Sequence, residues 1–132
     1  MAVAEGLTAE CLAADRATLM AKPPRRCQVA SVGRVVDGDT LIVLLDLGFE
    51  TFRQVIVRLA RIDAPELNTL DGVSARAYLV GVVTGDSKHL DVESYGKDRY
   101  GRYICELIVR DTGENVGTTM VEKGLAKPWN AR

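Results

Sequence analysis

Asp37, Asp39, Asp63 and Glu66 bracket a pair of long apolar runs, and Arg58 stands just before the second pair of acids in Arg58-Leu59-Ala60-Arg61-Ile62-Asp63-Ala64-Pro65-Glu66. A β-hairpin across the intervening residues would gather all four carboxylates at one end. Ionised carboxylates held together repel one another, which raises some of their pKa values unless a hard divalent cation or facing arginines neutralise them. The pattern therefore points to a site made of a metal ion and arginine. In a regular strand Arg58 and Asp63 would face opposite ways, so a bulge or turn near Ile62 is needed to bring both into one cleft.

The elements that must hold these groups are legible in outline. A β-branched run over residues 28–36, broken by Gly33, is a first strand, and the apolar run 41–47 is a second, expected to be buried on both faces. Residues 46–50 read as a turn, and residues 51–62 as a third strand, ended by Pro65, which has no N–H to offer a ladder. Residues 73–83 suit a helix with Val73, Ala77, Val80 and Val83 on its apolar face. A strand over 88–95, a turn at Gly96-Lys97-Asp98, a strand over 100–110 and a short helix capped by Asn115 and closed by Gly124 complete the pattern.

The order β-β-β-α-β-β-α makes this a mainly β, α+β chain. It fits a five-stranded Greek-key barrel of the OB type, with a helix after strand 3 and a short C-terminal helix. Residues 6–20 can form a further helix, with Thr8 as its cap and a weak stripe of Leu7, Cys11, Leu12, Leu19 and Met20. The Lys22-Pro23-Pro24-Arg25-Arg26 segment breaks it. Residues 1–27 are thus expected to be an N-terminal extension, helical or flexible, and residues 28–132 the barrel.

The chain has 132 residues, 47% of them hydrophobic and 27% charged, which suits one compact domain rather than two. A formal net charge of −1 gives no global electrostatic footprint for nucleic acid, so any such partner must be held by local clusters. Cys11, Cys27 and Cys105 have neither paired nor metal-ligand spacing, which excludes a disulfide framework or a zinc site and fits a reducing compartment. Acidic residues interrupt the N-terminal apolar stretch, so neither a signal peptide nor a membrane span is expected and the reading is cytoplasmic.

Four motifs, in order along the barrel pattern, resemble the thermonuclease, or staphylococcal-nuclease-like, family. They are Asp37-Gly38-Asp39-Thr40, then Arg58 followed five residues on by Asp63-Ala64-Pro65-Glu66, then Asp98-Arg99-Tyr100-Gly101-Arg102, and Glu122-Lys123-Gly124-Leu125-Ala126. The resemblance covers about residues 30–127 and implies a calcium-dependent nuclease, acting on DNA and RNA as an endo/exonuclease and leaving 3′-phosphate and 5′-hydroxyl ends. It implies that Asp39, Asp63 and the Ala64 carbonyl hold Ca2+, that Glu66 activates water, and that Arg58 and Arg102 clamp the phosphate. Asp37 and Thr40 would stand behind the metal carboxylates. Planar, permanently charged guanidinium groups suit a phosphoryl transition state better than lysine does. The chain departs from the family pattern in a longer hairpin between Asp39 and Arg58 and a shorter connection after Glu66.

Each motif alone has an ordinary reading. Asp-Gly-Asp is commonly a turn, acids near Pro65 suit a helix start, and a lone Arg102 would be a solvated strand residue. Tyr100 and Tyr103 are candidates for stacking on substrate bases, as is Tyr95, although packing at the barrel rim also accommodates them. His89, away from the motifs, reads as structural or exposed. Two classes remain open: a nuclease preferring single strands, monomeric and off the membrane, and a non-catalytic OB module binding nucleic acid or protein. The combined set of Asp39, Asp63, Glu66 and two arginines favours the first, because a binding module needs no such set.

Overall fold

The computed structural model describes residues 25–84 and 89–129; the helix expected over residues 6–20 lies outside them. Strands β1 (Arg25–Asp37), β2 (Thr40–Asp46) and β3 (Phe52–Leu59) form an antiparallel meander. After a two-residue strand β4 (Ile62–Asp63) comes helix α1 (Leu70–Thr84), and strands β5 (Leu90–Lys97) and β6 (Tyr103–Val109) follow as an antiparallel pair. A short β7 (Glu114–Asn115) leads into helix α2 (Val116–Glu122), and β8 (Lys127–Pro128) returns to pair with β4.

Two pairings close the barrel. The first residues of β1, Arg25 to Gln28, pair with β5, and the end of β3 pairs in parallel with the start of β6 through Val57↔Tyr103, Arg58↔Ile104 and Leu59↔Cys105. Three register shifts along β1 let one strand serve both β2 and β5, since each bulge bends and twists the strand that carries it. The expected five-stranded OB-type barrel with two helices is the fold of this chain.

Inside lie Leu41, Val43, Val57, Leu59, Val92 and Leu107 from the strands, sealed by Leu79 of α1 and by Val116 and Met120 of α2. Burying each such side chain is worth about 1.5–3 kcal/mol. The core is almost wholly aliphatic, as a chain with 5% aromatic residues requires.

Several expectations shift in detail. β2 alternates, with Leu41, Val43 and Leu45 buried and Ile42 and Leu44 only half-buried, because among the described residues no element covers the outer face of the hairpin fully. The buried face of α1 is Gly72, Ala75, Leu79 and Val82, whereas Val73 and Ala77 are exposed. The first turns of α1 press Gly72 against the Glu66 carbonyl and Ala75 against Gly38, where only small residues fit, and that sets the face on which Leu79 and Val82 then enter the core. The helix also starts earlier than residue 73: Thr69 Oγ1 accepts the Gly72 N–H at 3.0 Å and caps its first turn. Gly96 and Lys97 belong to β5, with a bulge between Ser94 and Gly96, and the turn lies at 98–101 instead.

Candidate active site

Gly38 shows how the fold builds the site. A Cβ placed there would lie 2.8 Å from the Cβ atoms of both Ala64 and Ala75, so the turn from β1 to β2 is pressed between the Asp63-Ala64 segment and α1. That contact brings Asp39 against Ala64, whose N–H donates to Asp39 Oδ2 at 2.9 Å. Thr40 Oγ1 donates to Asp39 Oδ1 at 3.1 Å, and the Asp39 N–H donates to Asp37 Oδ1 at 3.1 Å.

Arg58 joins this group from β3. Its Nη1 donates to the carbonyls of Leu59 and Ile62 at 2.7 and 2.9 Å, which fixes the plane of the guanidinium. Its Nη2 then lies 3.5 Å from Asp39 and 3.7 Å from Asp63. Asp63 can reach it because the chain turns at Ala60-Arg61, with Arg61 at φ 65°, between β3 and β4. The turn expected near Ile62 is present, and it resolves the parity conflict along the strand.

Asp39 is almost fully buried, whereas the Asp63 side chain is 61% exposed. Burial pushes the Asp39 carboxyl above the usual carboxylate range, the Asp37 side chain adds to the rise, and the Ala64 N–H and Arg58 offset it in part. A buried carboxylate so disfavoured in its charged form is one that a cation stabilises. Among the described residues no three Asp, Glu, His or Cys side chains form a ready metal cage. The oxygen donors gathered here are the Asp39 and Asp63 carboxylates, a set of the kind that suits a hard cation keeping several waters rather than one enclosed by protein.

The β3–β6 pairing sets the beginning of β6 beside Arg58, and the loop before it holds Arg102. Asp98 shapes that loop, accepting the N–H groups of Tyr100 and Arg102 at 2.8 and 2.9 Å and the Arg102 Nε at 2.8 Å. Burial pushes the Asp98 carboxyl up, but these donors together outweigh it and hold it below the usual range. Arg58 and Arg102 line one cleft of about 970 Å3, together with Arg61, Tyr95, Lys97, Arg99, Tyr100 and Trp129.

Thus the structure gathers Asp37, Asp39, Thr40, Arg58, Asp63 and Ala64, and puts Arg102 and Tyr100 on the cleft that Arg58 also lines, whereas Asp39, Asp63 and Ala64 are not among its lining residues. Glu66 is exposed on the following loop and is not among the residues lining the cleft; its carbonyl accepts the Thr69 N–H at 3.0 Å. Tyr103 does not line the cleft: its half-buried ring is flanked by Arg53 and Lys97, each 5.6 Å from the centroid. His89 is exposed, as expected, with Nδ1 3.4 Å from Asp111.

Sequence reasoning missed Trp129 and Arg61. Pairing of β8 with β4 and a 2.8 Å bond from Trp129 N–H to the Arg61 carbonyl carry the indole to the cleft, 5.3 Å from the Arg58 guanidinium. No spacing pattern announces that contact, because it depends on two-residue strands.

Residues 56–132 match the family model described as staphylococcal nuclease homologue, a span that includes Arg58, Asp63, Glu66 and Arg102. "Protein ParB" of Escherichia coli is 37% identical over 122 residues, covering 86% of this chain and 65% of that protein. An "uncharacterized endonuclease" of Haemophilus influenzae is 31% identical over 109 residues, 83% of this chain and 57% of that protein. The chain thus spans less than two thirds of the length of these bacterial relatives. An aliphatic five-stranded barrel, with Arg58 held between Asp39 and Asp63 and a second guanidinium lining the same cleft, accords with that match: the chain belongs to the staphylococcal nuclease homologue family.

Proposed function

We propose that this chain is a calcium-dependent nuclease that hydrolyses phosphodiester bonds of DNA and RNA, as endo- and exonuclease, and leaves 3′-phosphate and 5′-hydroxyl ends. The observation that carries the reading is one cleft lined by Arg58 and Arg102, with Arg58 Nη2 3.5 and 3.7 Å from two carboxylates. Family membership and a relative named as an endonuclease support the nuclease class.

In this reading Asp39, Asp63 and the Ala64 carbonyl hold the cation, with Asp37 and Thr40 fixing Asp39 behind them. The cation, when bound, supplies positive charge beside the phosphate and lowers the pKa of water. Arg58 and Arg102 meet the negative charge that grows on the phosphoryl oxygens in the transition state. Glu66 orients the attacking water or takes its proton. Water oxygen bonds to phosphorus, the bond from phosphorus to O5′ breaks, and O5′ leaves as a hydroxyl after protonation. The nucleophile comes from solvent, so no 2′-hydroxyl is required and DNA serves as well as RNA.

Single strands are the preferred substrate, because an aromatic-lined cleft takes unstacked bases. A net charge of −1 makes the hold on polymer weak and salt-sensitive. The protein acts as a monomer, which size-exclusion chromatography checks. No helix of the described residues is long and apolar enough to cross a membrane, and nothing in the site calls for one.

The test is incubation of single-stranded DNA and of RNA with calcium and with a chelator, followed by end-group analysis. Cleavage of both substrates with calcium only, giving 3′-phosphate ends, is expected. Products with 5′-phosphate, or cleavage of RNA but never DNA, would contradict the mechanism. Binding without cleavage would mark a non-catalytic module.

A further inference from the structure

Arg61 occupies a backbone conformation that side chains rarely take, at φ 65°, yet it is neither glycine nor asparagine. Its peptide is held there by the Trp129 N–H on its carbonyl. The consequence is a guanidinium on the cleft wall, 68% exposed, lying 5.2 Å from the Tyr95 ring centroid. Its ion-pair partner is Glu106, at 2.8 Å, a carboxylate only 9% exposed.

Glu106 does not depend on Arg61 alone. It also accepts the side-chain amide of Asn115 and, at 3.4 Å, the Tyr95 hydroxyl. If Arg61 leaves, Asn115 and Tyr95 keep Glu106 hydrogen-bonded, and the attraction lost to that buried carboxylate is what a phosphate contact on the same guanidinium must outweigh. Arg58, by contrast, is fixed by two carbonyls, and Arg102 is tied to the loop that Asp98 organises. Of the three cleft arginines held in ion pairs, Arg61 is the one best placed to change partners; the fourth, Arg99, lies over the Tyr100 ring.

From these contacts we infer that Arg61 and Tyr95 form a subsite for a nucleotide next to the cleaved bond. Arg61 exchanges Glu106 for a phosphate that is not cut, and in moving it uncovers the Tyr95 ring for the adjoining base. This rests on the nuclease reading for its substrate class. It adds a third guanidinium, whose role is to hold the strand and not to stabilise the transition state.

The test measures binding of a labelled single strand to the wild type, Arg61→Gly and Arg61→Lys over a range of salt, with a chelator present to stop turnover. Arg61→Gly should bind about five- to tenfold more weakly and flatten the slope of log K against log salt by about 0.7, one phosphate contact on a single strand. Arg61→Lys should restore the slope. Glycine suits φ 65°, which offsets in part the loss of the cation beside buried Glu106, and a melting curve checks that Arg61→Gly is folded at the assay temperature. A wild-type slope in folded Arg61→Gly, or an Arg61→Lys slope as flat as that of Arg61→Gly, overturns the subsite. Wild-type protein that cuts DNA while Arg61→Gly keeps its slope sinks this inference alone. Wild-type protein that binds but never cuts sinks the nuclease reading and leaves the subsite to be judged by the slope. If the wild type binds no strand, both fall.

Discussion

Arg58 spends one nitrogen on two backbone carbonyls and turns another toward Asp39 and Asp63, so its position is set by the chain itself before any substrate arrives. Preorganised charge of this kind is what a phosphoryl transition state rewards. Arg102, which lines the same cleft, is oriented by Asp98 and lies 5.4 Å from the Tyr100 ring centroid. Arg102→Ala should lower kcat by about two to three orders of magnitude, with KM changing far less. Raised KM with normal kcat would show an arginine that only binds. Asp39→Asn should weaken calcium binding in calorimetric titration while the cation-free barrel melts no earlier, because burial and Asp37 already oppose the charge that is removed. Unchanged calcium affinity would remove Asp39 from the metal assignment.

At the scale of elements, the site depends on how closely three segments approach. The β1–β2 turn, the Ala64 segment and α1 meet at Gly38, where no side chain fits, and Gly72 meets the Glu66 carbonyl, which a Cβ would approach to 1.8 Å. Gly38→Ala should therefore cost about 2–3 kcal/mol of stability, as overpacking does, and displace Asp39 from the Ala64 N–H. Urea unfolding gives the first number, and loss of calcium affinity beyond it reports the second. A mutant as stable as the wild type would mean that the turn can yield. At the cleft wall, Glu106 links the Arg61 turn, Tyr95 of β5 and Asn115, which caps α2 through Thr118 N–H. One buried carboxylate thus ties the cleft wall to the C-terminal helix.

For the whole molecule, a closed barrel means that charges far from the cleft still govern whether the cleft exists. Asp91 is buried on β5, with Arg26 of β1 and Arg110 beyond β6 donating to it at 2.8–3.0 Å. Burial raises its carboxyl, but the two arginines more than offset this and hold it below the usual range. A lowered folded-state value contributes stability that is complete above the unfolded pKa of about 3.9 and is lost as pH falls through the lower folded value. Asp98 acts in the same direction. Asp91→Asn should therefore be less stable than the wild type near neutral pH, with the gap closing below about pH 4. Denaturant midpoints at the two extremes check this, and a gap independent of pH would assign the effect to packing. Cys105 takes no part in such chemistry, since burial pushes its thiol up to about 12.

The sequence by itself determined the barrel and where the acid and arginine motifs fall along it. Apolar runs of the right length, turns at Gly48 and Pro65, and a cap at Asn115 are local signals, and local signals specify strands and helix ends directly. The acid and arginine motifs were equally plain, because residue type and spacing carry their chemistry. Only the tertiary structure decided what depends on contact between distant segments. The face that α1 buries follows from its press against Gly38, not from its own periodicity. Tyr103 was assigned to the cleft by its neighbours in sequence, yet its half-buried ring sits between Arg53 and Lys97, outside the residues that line the cleft. Arg61 and Trp129 reach the cleft through a left-handed residue and a two-residue strand pairing, features too short to leave a period in the sequence. Their placement is a property of the closed barrel, since only closure puts β4, β8 and the start of β6 around the same guanidinium.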